Sequence, residues 1–354
     1  MSSNNTNNSL PVMMKSAQLV GVGRIEVREV PVPVAGPGQV LVRVRAVGIC
    51  GSDVHYYADG RIGDARVSFP FILGHEPAGE VAAVGAGVTG LAPGTRVTLE
   101  PAHSCGHCPA CISGRPNICP SVRFLGTPPI PGTFEEYHLY APEQCVPIAD
   151  SITMEAAAAL EPMAVALHAV NLARLKLGDR VAIMGGGPIG MLTAMAAKLA
   201  GASFVALTEP LAARRALATQ FGVDLVIDPS DGKAVAAIQA VSEIDVSFEA
   251  VGVQAAIDDA TLVTRPGGTT IIIGIPAVDT ITLFPHLIRR KELSIIMARR
   301  SNLVLEPALR LMAAGLIHPE KIITHRFPLD RIAEGMELVH NYQDGVLKAM
   351  IVLE

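Results

Sequence analysis

The 354-residue chain predicts an α/β protein in two parts, an all-β barrel with long loops and a doubly wound parallel sheet. Three observations point there. The length exceeds what a single hydrophobic core usually encloses, so two domains are expected. Between Met13 and about Pro147 the sequence is strand-like and is broken by Pro and Gly clusters at 31–38 and 128–132. From Gly178 onward, short β-branched runs alternate with amphipathic stretches.

In chain order, the polar start from Met1 to Asn8 has neither a charged first segment nor an apolar stretch. Residues 1–12 are therefore expected to form a disordered tail and not a secretory signal. Residues 39–47 alternate apolar and charged side chains with period two, the pattern of a strand with one face on a core. Near residue 160 the texture changes: 153–173 is Ala-rich, lacks interior Gly and favours helix despite Pro162. Strands are then expected at 180–183, 204–208, 225–227, 246–248 and 269–273, with helices at 189–200 and 212–221. The tail from Arg299 returns to mixed elements and ends in a strand-like segment, 346–353.

Composition narrows the class. Half the residues are hydrophobic, but only 4% are aromatic and none is Trp, so aliphatic side chains and Ala must fill the core. A formal net charge of -5 leaves no basic footprint for nucleic acid and no polybasic membrane patch. No apolar run free of charges is long enough to span a bilayer, so no membrane partner is expected.

Two sets of metal ligands stand out. Cys105, Cys108, Cys111 and Cys119 follow the order C-x2-C-x2-C-x7-C, a spacing with which one loop can wrap a tetrahedral zinc and close it to water. A pair of disulfides is the alternative. The second set mixes a thiol (Cys50), an imidazole (His75) and carboxylates (Glu76, Glu161), as expected where a coordination position stays open for chemistry. Five of six cysteines used in this way favour a reducing cytoplasm over a disulfide framework. His103 and His107 flank the cysteine loop as bystanders, and Cys145 reads as a small buried apolar residue.

A nucleotide fingerprint follows. Gly185, Gly187 and Gly190 form G-x-G-x-x-G, with Pro188 and Ile189 between the last two, directly after a predicted strand and opening a predicted helix. The first Gly permits the tight turn, the second lets pyrophosphate approach the backbone, and the third lets helix and strand pack closely. Glu209 ends the second strand about twenty residues on, where a carboxylate can hold both adenosine ribose hydroxyls. That favours NAD, since a 2′-phosphate would meet a like charge. Arg214 and Arg215 nearby keep NADP open, and Glu209 as a mere strand cap is the bland alternative.

These residues spell a family. Gly74-His75-Glu76-Pro77-Ala78-Gly79, with Gly85 and Val88 after it, resembles the zinc alcohol dehydrogenase signature of the medium-chain dehydrogenase/reductase superfamily. The segments 47–57, 60–63, 124–129 and 324–329, together with Glu161-Pro162, resemble its polyol dehydrogenase branch of sorbitol (L-iditol), xylitol and L-arabinitol dehydrogenases. The likeness spans the chain after residue 12. It implies a GroES-like catalytic domain at 13–160 and 299–354, with a Rossmann domain at 161–298 inserted. It also implies a homo-oligomer, tetramer or dimer.

Carried over by position, the resemblance makes Cys50, His75 and Glu76 the ligands of a catalytic zinc, with Glu161 bound directly or through water. It makes the four-cysteine loop a second, structural zinc site. Asp53 would orient His75. Ser52 would touch the substrate hydroxyl, and His55 would continue a proton path to solvent. Tyr56, Phe124, Thr127, Glu161 and Arg299 would line the pocket. The pattern departs at Arg300, where sorbitol dehydrogenases often carry Tyr. The implied activity is oxidation of a secondary hydroxyl of a small-molecule polyol to a ketose, with hydride passing to NAD.

Other classes remain open at this level. A zinc-free enone or quinone reductase on the same fold would lack Cys50, His75 and Glu76. A non-catalytic nucleotide- or metal-binding protein would keep the motifs without turnover. Threonine and simple alcohol dehydrogenases are the alternatives within the enzyme class.

Overall fold

A computed structural model describes residues 10–354; most of the expected N-terminal tail, residues 1–9, lies outside the described residues. The chain builds two large sheets. One has seven strands, in the order Cys145–Pro147, Arg96–Leu99, Glu76–Val84, Val40–Gly48, Lys348–Val352, Ile323–Pro328, with Tyr137–Tyr140 also pairing Val40–Gly48. The other has six parallel strands, in the order Leu225–Ile227, Phe204–Thr208, Arg180–Met184, Ile244–Glu249, Thr264–Ile272, Ser294–Met297. Numbered along the chain, that second order is 3-2-1-4-5-6, the doubly wound arrangement that places a ligand crevice beyond the carboxyl ends of its first strands.

The period-two segment forms the strand Val40–Gly48. Its valines are buried, while Arg43 donates to the Glu354 carbonyl at 2.7 Å and Arg45 to Glu80 at 3.0 Å. The C-terminal strand Lys348–Val352 pairs with it, Met350 opposite Gly48. Segments before and after the parallel sheet in the sequence therefore share one sheet, and the parallel sheet is built from the sequence between them. This is a GroES-like fold joined to a Rossmann-type one.

The Ala-rich segment is two helices, Met154–Ala158 and Leu160–Ala173, rather than one. Pro162 falls in the first turn of the second, where its missing N–H has no intrahelical partner to lose. By length and hydropathy Met154–Ala173 would suffice to cross a membrane, but 78% of its most apolar 18-residue window is buried inside the protein. Its alanines pack in one hydrophobic cluster with Ala46 and Ala78 of the first sheet and Val181 and Ile183 of the second. Small side chains on this helix let the sheets approach closely, which suits a chain with no Trp and few aromatic residues.

Candidate active site and metal centres

Among the described residues, ligand atoms gather in two places. The first is made by strand register. Gly48 at the end of Val40–Gly48 lies opposite Glu76 at the start of Glu76–Val84, and Cys50 follows two residues later as N-cap of the helix Gly51–Asp59. Ligand atoms of Cys50, His75 and Glu76 consequently lie within 4.8 Å of one another. Asp53 ties the two segments together: one carboxylate oxygen accepts the Cys50 N–H and the other the Gly74 N–H, each at 3.0 Å. The latter oxygen also stands 3.4 Å from His75 Nδ1, the kind of carboxylate contact that fixes an imidazole's orientation.

Behind these ligands lies a residue that the sequence reading missed. Lys348, only 3% exposed, places Nζ 2.6 Å from Glu76 Oε1. Burial lowers the Lys348 ammonium, but Glu76 and Cys50 outweigh it and hold it above its ordinary value. Gly48 makes room for the pair, because a Cβ there would run into Glu76 Oε2 and come to 3.0 Å of Lys348 Cε. A lone Lys in the apolar strand Lys348–Val352 was the available signal.

The donor set fits a divalent cation. Burial opposes charge on His75, yet Asp53 and Cys50 raise the imidazole well above its usual range, so the cluster draws positive charge to itself. One soft thiolate, one imidazole and one carboxylate are typical zinc donors. Glu161, in the first turn of Leu160–Ala173, is not part of the close triple. Burial pushes its carboxyl up to about 8; His75 and Lys348 oppose that rise, while Glu76 and Glu100 add to it.

Several of the residues expected to line the pocket stand near this cluster. Tyr56 is buried on the same helix as Ser52 and His55, its phenol raised by burial and lowered by a hydrogen bond with Thr127. The Phe124 ring is 5.4 Å from that of His75. Ser52 is half-buried, and His55 is half-exposed with Nδ1 3.7 Å from Asp59. The arginine packed on Phe124 is not Arg299, which is exposed and offers its carbonyl to Asn117 Nδ2 at 3.0 Å. It is Arg300, whose Cζ lies 3.7 Å from the Phe124 ring centroid. Arg300 has a left-handed backbone (φ 55), so ordinary strand alternation does not tell which of the two neighbours points inward.

In the second cluster Cys105, Cys108, Cys111 and Cys119 are all free thiols whose sulfurs lie within 4.8 Å of one another, with Cys105–Cys111, Cys108–Cys111 and Cys105–Cys119 at 3.5–4.0 Å. Tetrahedral zinc with Zn–S near 2.3 Å needs edges of about 3.8 Å, whereas disulfide sulfurs stand at roughly 2.0 Å. The His107 and Cys108 N–H groups hold the Cys105 thiol down to about 6. His103 lies 3.5 Å from Glu143, and His107 Nδ1 pairs with the Cys105 carbonyl at 2.7 Å, so neither joins the sulfurs. Cys145 is buried, and burial pushes its thiol up to about 12.

The strand Arg180–Met184 turns through Gly185–Gly187 into the helix Pro188–Leu199, with Gly187 as its N-cap. Gly190 is required by contact, since a Cβ there would collide with the Gly185 carbonyl. Glu209 reaches under this loop and accepts the Gly186 N–H at 3.0 Å and the Leu211 N–H at 2.8 Å. Arg214 is buried beside the loop and donates Nε to the Val346 carbonyl at 2.8 Å. Arg215 pairs with Asp228 at 2.9 Å.

Comparison with known proteins agrees with this architecture. Residues 36–150 match the family model of the alcohol dehydrogenase GroES-like domain, and 188–314 that of the zinc-binding dehydrogenases. The chain is 36% identical over 346 residues to a sorbitol dehydrogenase of Bacillus subtilis, covering 97% of this chain and 98% of that one. Among solved structures, it is similar to a zinc-binding dehydrogenase of Sinorhizobium meliloti bound to NADP, with 36% identity, a TM-score of 0.89 and coverage of 97% and 100%. It is also similar to L-idonate 5-dehydrogenase of Escherichia coli, with 29% identity, a TM-score of 0.89 and coverage of 96% and 98%.

Proposed function

This chain belongs to the zinc-dependent medium-chain dehydrogenase/reductase superfamily, and from that premise we propose that it oxidises a secondary hydroxyl of a polyol to a ketose with NAD. The observation that carries this reading is the close triple of Cys50, His75 and Glu76 beside a wall of Tyr56, Phe124, Thr127 and Arg300. That wall has more polar groups than a simple alkanol can satisfy, and polar groups left unpaired on binding cost affinity.

Zinc held by Cys50, His75 and Glu76 would supply Lewis acidity, and NAD on the Gly185–Gly190 loop would accept the hydride. The chain's own residues do the rest. Ser52 takes the hydroxyl proton and half-exposed His55 passes it to solvent. Asp53 fixes the His75 ring, and Lys348 offsets the charge of Glu76. Glu161 supplies a second carboxylate at the buried edge of the site, directly to the metal or through water. Gly185, Gly187, Pro188, Ile189 and Gly190 cradle pyrophosphate at a helix N-terminus, with Arg214 alongside.

Several finer points belong to the same reading. Four free thiols at zinc-like spacing support a second zinc ion per chain. Buried Glu209 supports NAD over NADP. The strand pairing supports a catalytic domain at 13–160 and 299–354 around a nucleotide domain at 161–298. Six free cysteines support a cytoplasmic location. Ser294–Met297 is an edge strand that ends in exposed Met297, which supports a homo-oligomer, dimer or tetramer. Native mass spectrometry showing only monomer would count against that last point.

Initial rates test the proposal. With NAD, sorbitol or xylitol should exceed ethanol in kcat/KM; equal or better efficiency with ethanol would move the reading to a general alcohol dehydrogenase. In the same panel Glu209→Ala should relax the preference for NAD over NADP by roughly 1–3 kcal/mol, the range for losing one polar partner. A wild-type enzyme more efficient with NADP would sink the cofactor assignment.

A further inference from the structure

Arg300 is held in place from outside the pocket. Its left-handed backbone (φ 55) is unusual for a side-chain-bearing residue, and contacts on both sides anchor it to the four-cysteine lobe. Asn117 Nδ2 donates to the Arg299 carbonyl at 3.0 Å, and Asn302 Nδ2 donates to the Gly114 carbonyl at 3.0 Å. The guanidinium so placed stacks on Phe124, 3.7 Å from its centroid, and the same ring stands 5.4 Å from the His75 imidazole. Phe124 thus spans the distance between the metal ligands and the arginine.

What the guanidinium lacks is a partner. Nη1 is buried without a hydrogen bond, and Arg300 forms no ion pair among the described residues. Glu161, Glu100 and Tyr56 attract it and Arg299 repels it, but none of these closes an ion pair with it. A buried cation with unmet donors is costly, and the group that satisfies a planar guanidinium best is a carboxylate accepting two parallel bonds. A neutral hydroxyl offers an acceptor without the charge.

We propose that Arg300 is a specificity-determining residue that receives a carboxylate at the end of the substrate remote from the oxidised carbinol. The substrate class is then an acyclic polyhydroxy acid. This rests on the secondary-alcohol reading above and refines it. The redox balance is unchanged: the carbinol C–H leaves as hydride to the nicotinamide, the O–H proton goes to solvent, a ketone forms, and the carboxylate takes no part in bond making.

Matched pairs test it, such as D-gluconate against sorbitol and L-idonate against L-iditol, with zinc-loaded wild type, Arg300→Gln and Arg300→Lys. The acids should exceed their polyols by roughly tenfold or more in kcat/KM. Arg300→Gln should cost the acids roughly 10- to 100-fold, mostly in KM, the scale of a lost charge-assisted contact, and Arg300→Lys should fall between. The matched polyols, which offer the guanidinium only a neutral hydroxyl, should lose less than the acids, and 2-butanol, too short to reach it, should lose least. Equilibrium binding of gluconate to the enzyme–NADH complex should weaken in parallel with KM. Polyols preferred over acids by wild type, or an Arg300→Gln loss shared equally by acids, polyols and 2-butanol, would overturn the proposal. Absence of turnover with every alcohol would instead count against the dehydrogenase reading, and gluconate binding would still decide the role of Arg300.

Discussion

Replacing Cys50 with Ala should leave a folded protein that holds about one zinc and turns over roughly a thousandfold more slowly, or worse. A Lewis-acidic metal is worth several kcal/mol at the transition state, which is that factor in rate. Folding should survive because the Cys50 N–H bond to Asp53, at 3.0 Å, is a backbone contact that Ala keeps. Cys108→Ala should do the reverse. It opens the four-thiol set and loosens the lobe that Asn117 and Asn302 join to the 299–302 segment, so it should lower stability while the other zinc stays. Metal analysis with activity separates the two. Active wild-type protein holding no more than one zinc per chain would end the two-site model.

Lys348→Met should destabilise the protein by about 3–5 kcal/mol, because it strands the buried Glu76 carboxylate without its cation. Chemical denaturation of chelator-treated protein is the appropriate measurement, since zinc on Glu76 would mask part of the loss. Glu76→Gln with Lys348→Met should recover much of the stability, as removing both charges of a buried pair commonly does. That double variant should still bind zinc at the Cys50 site poorly. A cost below about 1 kcal/mol for Lys348→Met would show that the pair is solvated and worth only what a surface ion pair is.

The pair also changes the charge balance at the metal. One thiolate and one carboxylate would by themselves cancel the two charges of zinc, which argues for keeping Glu161 behind a water. With Lys348 set against Glu76, a second carboxylate is easier to accommodate. The buried Glu161, with its carboxyl pushed up to about 8, is a ready candidate to lose its proton when a cation arrives.

What the sequence determined by itself was everything written in short spacings. The four thiols of one loop, Gly74-His75-Glu76, the Gly185–Gly190 turn and the alternation in 39–47 each depend on residues only a few positions apart, where backbone geometry fixes which side chains meet. The likeness to a family added the far-apart members of the zinc set, and the alternation of strands and helices announced a doubly wound sheet. The tertiary structure alone decided three things. Lys348 meets Glu76 across 272 positions because their strands flank Val40–Gly48, a register that no local pattern encodes. The helix expected over 153–173 breaks at Ala159, so that Pro162 can sit in a first turn. Arg300 and not Arg299 stacks on Phe124, because a left-handed residue between two side-chain anchors departs from strand alternation. Periodicity is local, whereas the direction of a side chain on irregular backbone is set by whatever packs against it from elsewhere in the chain.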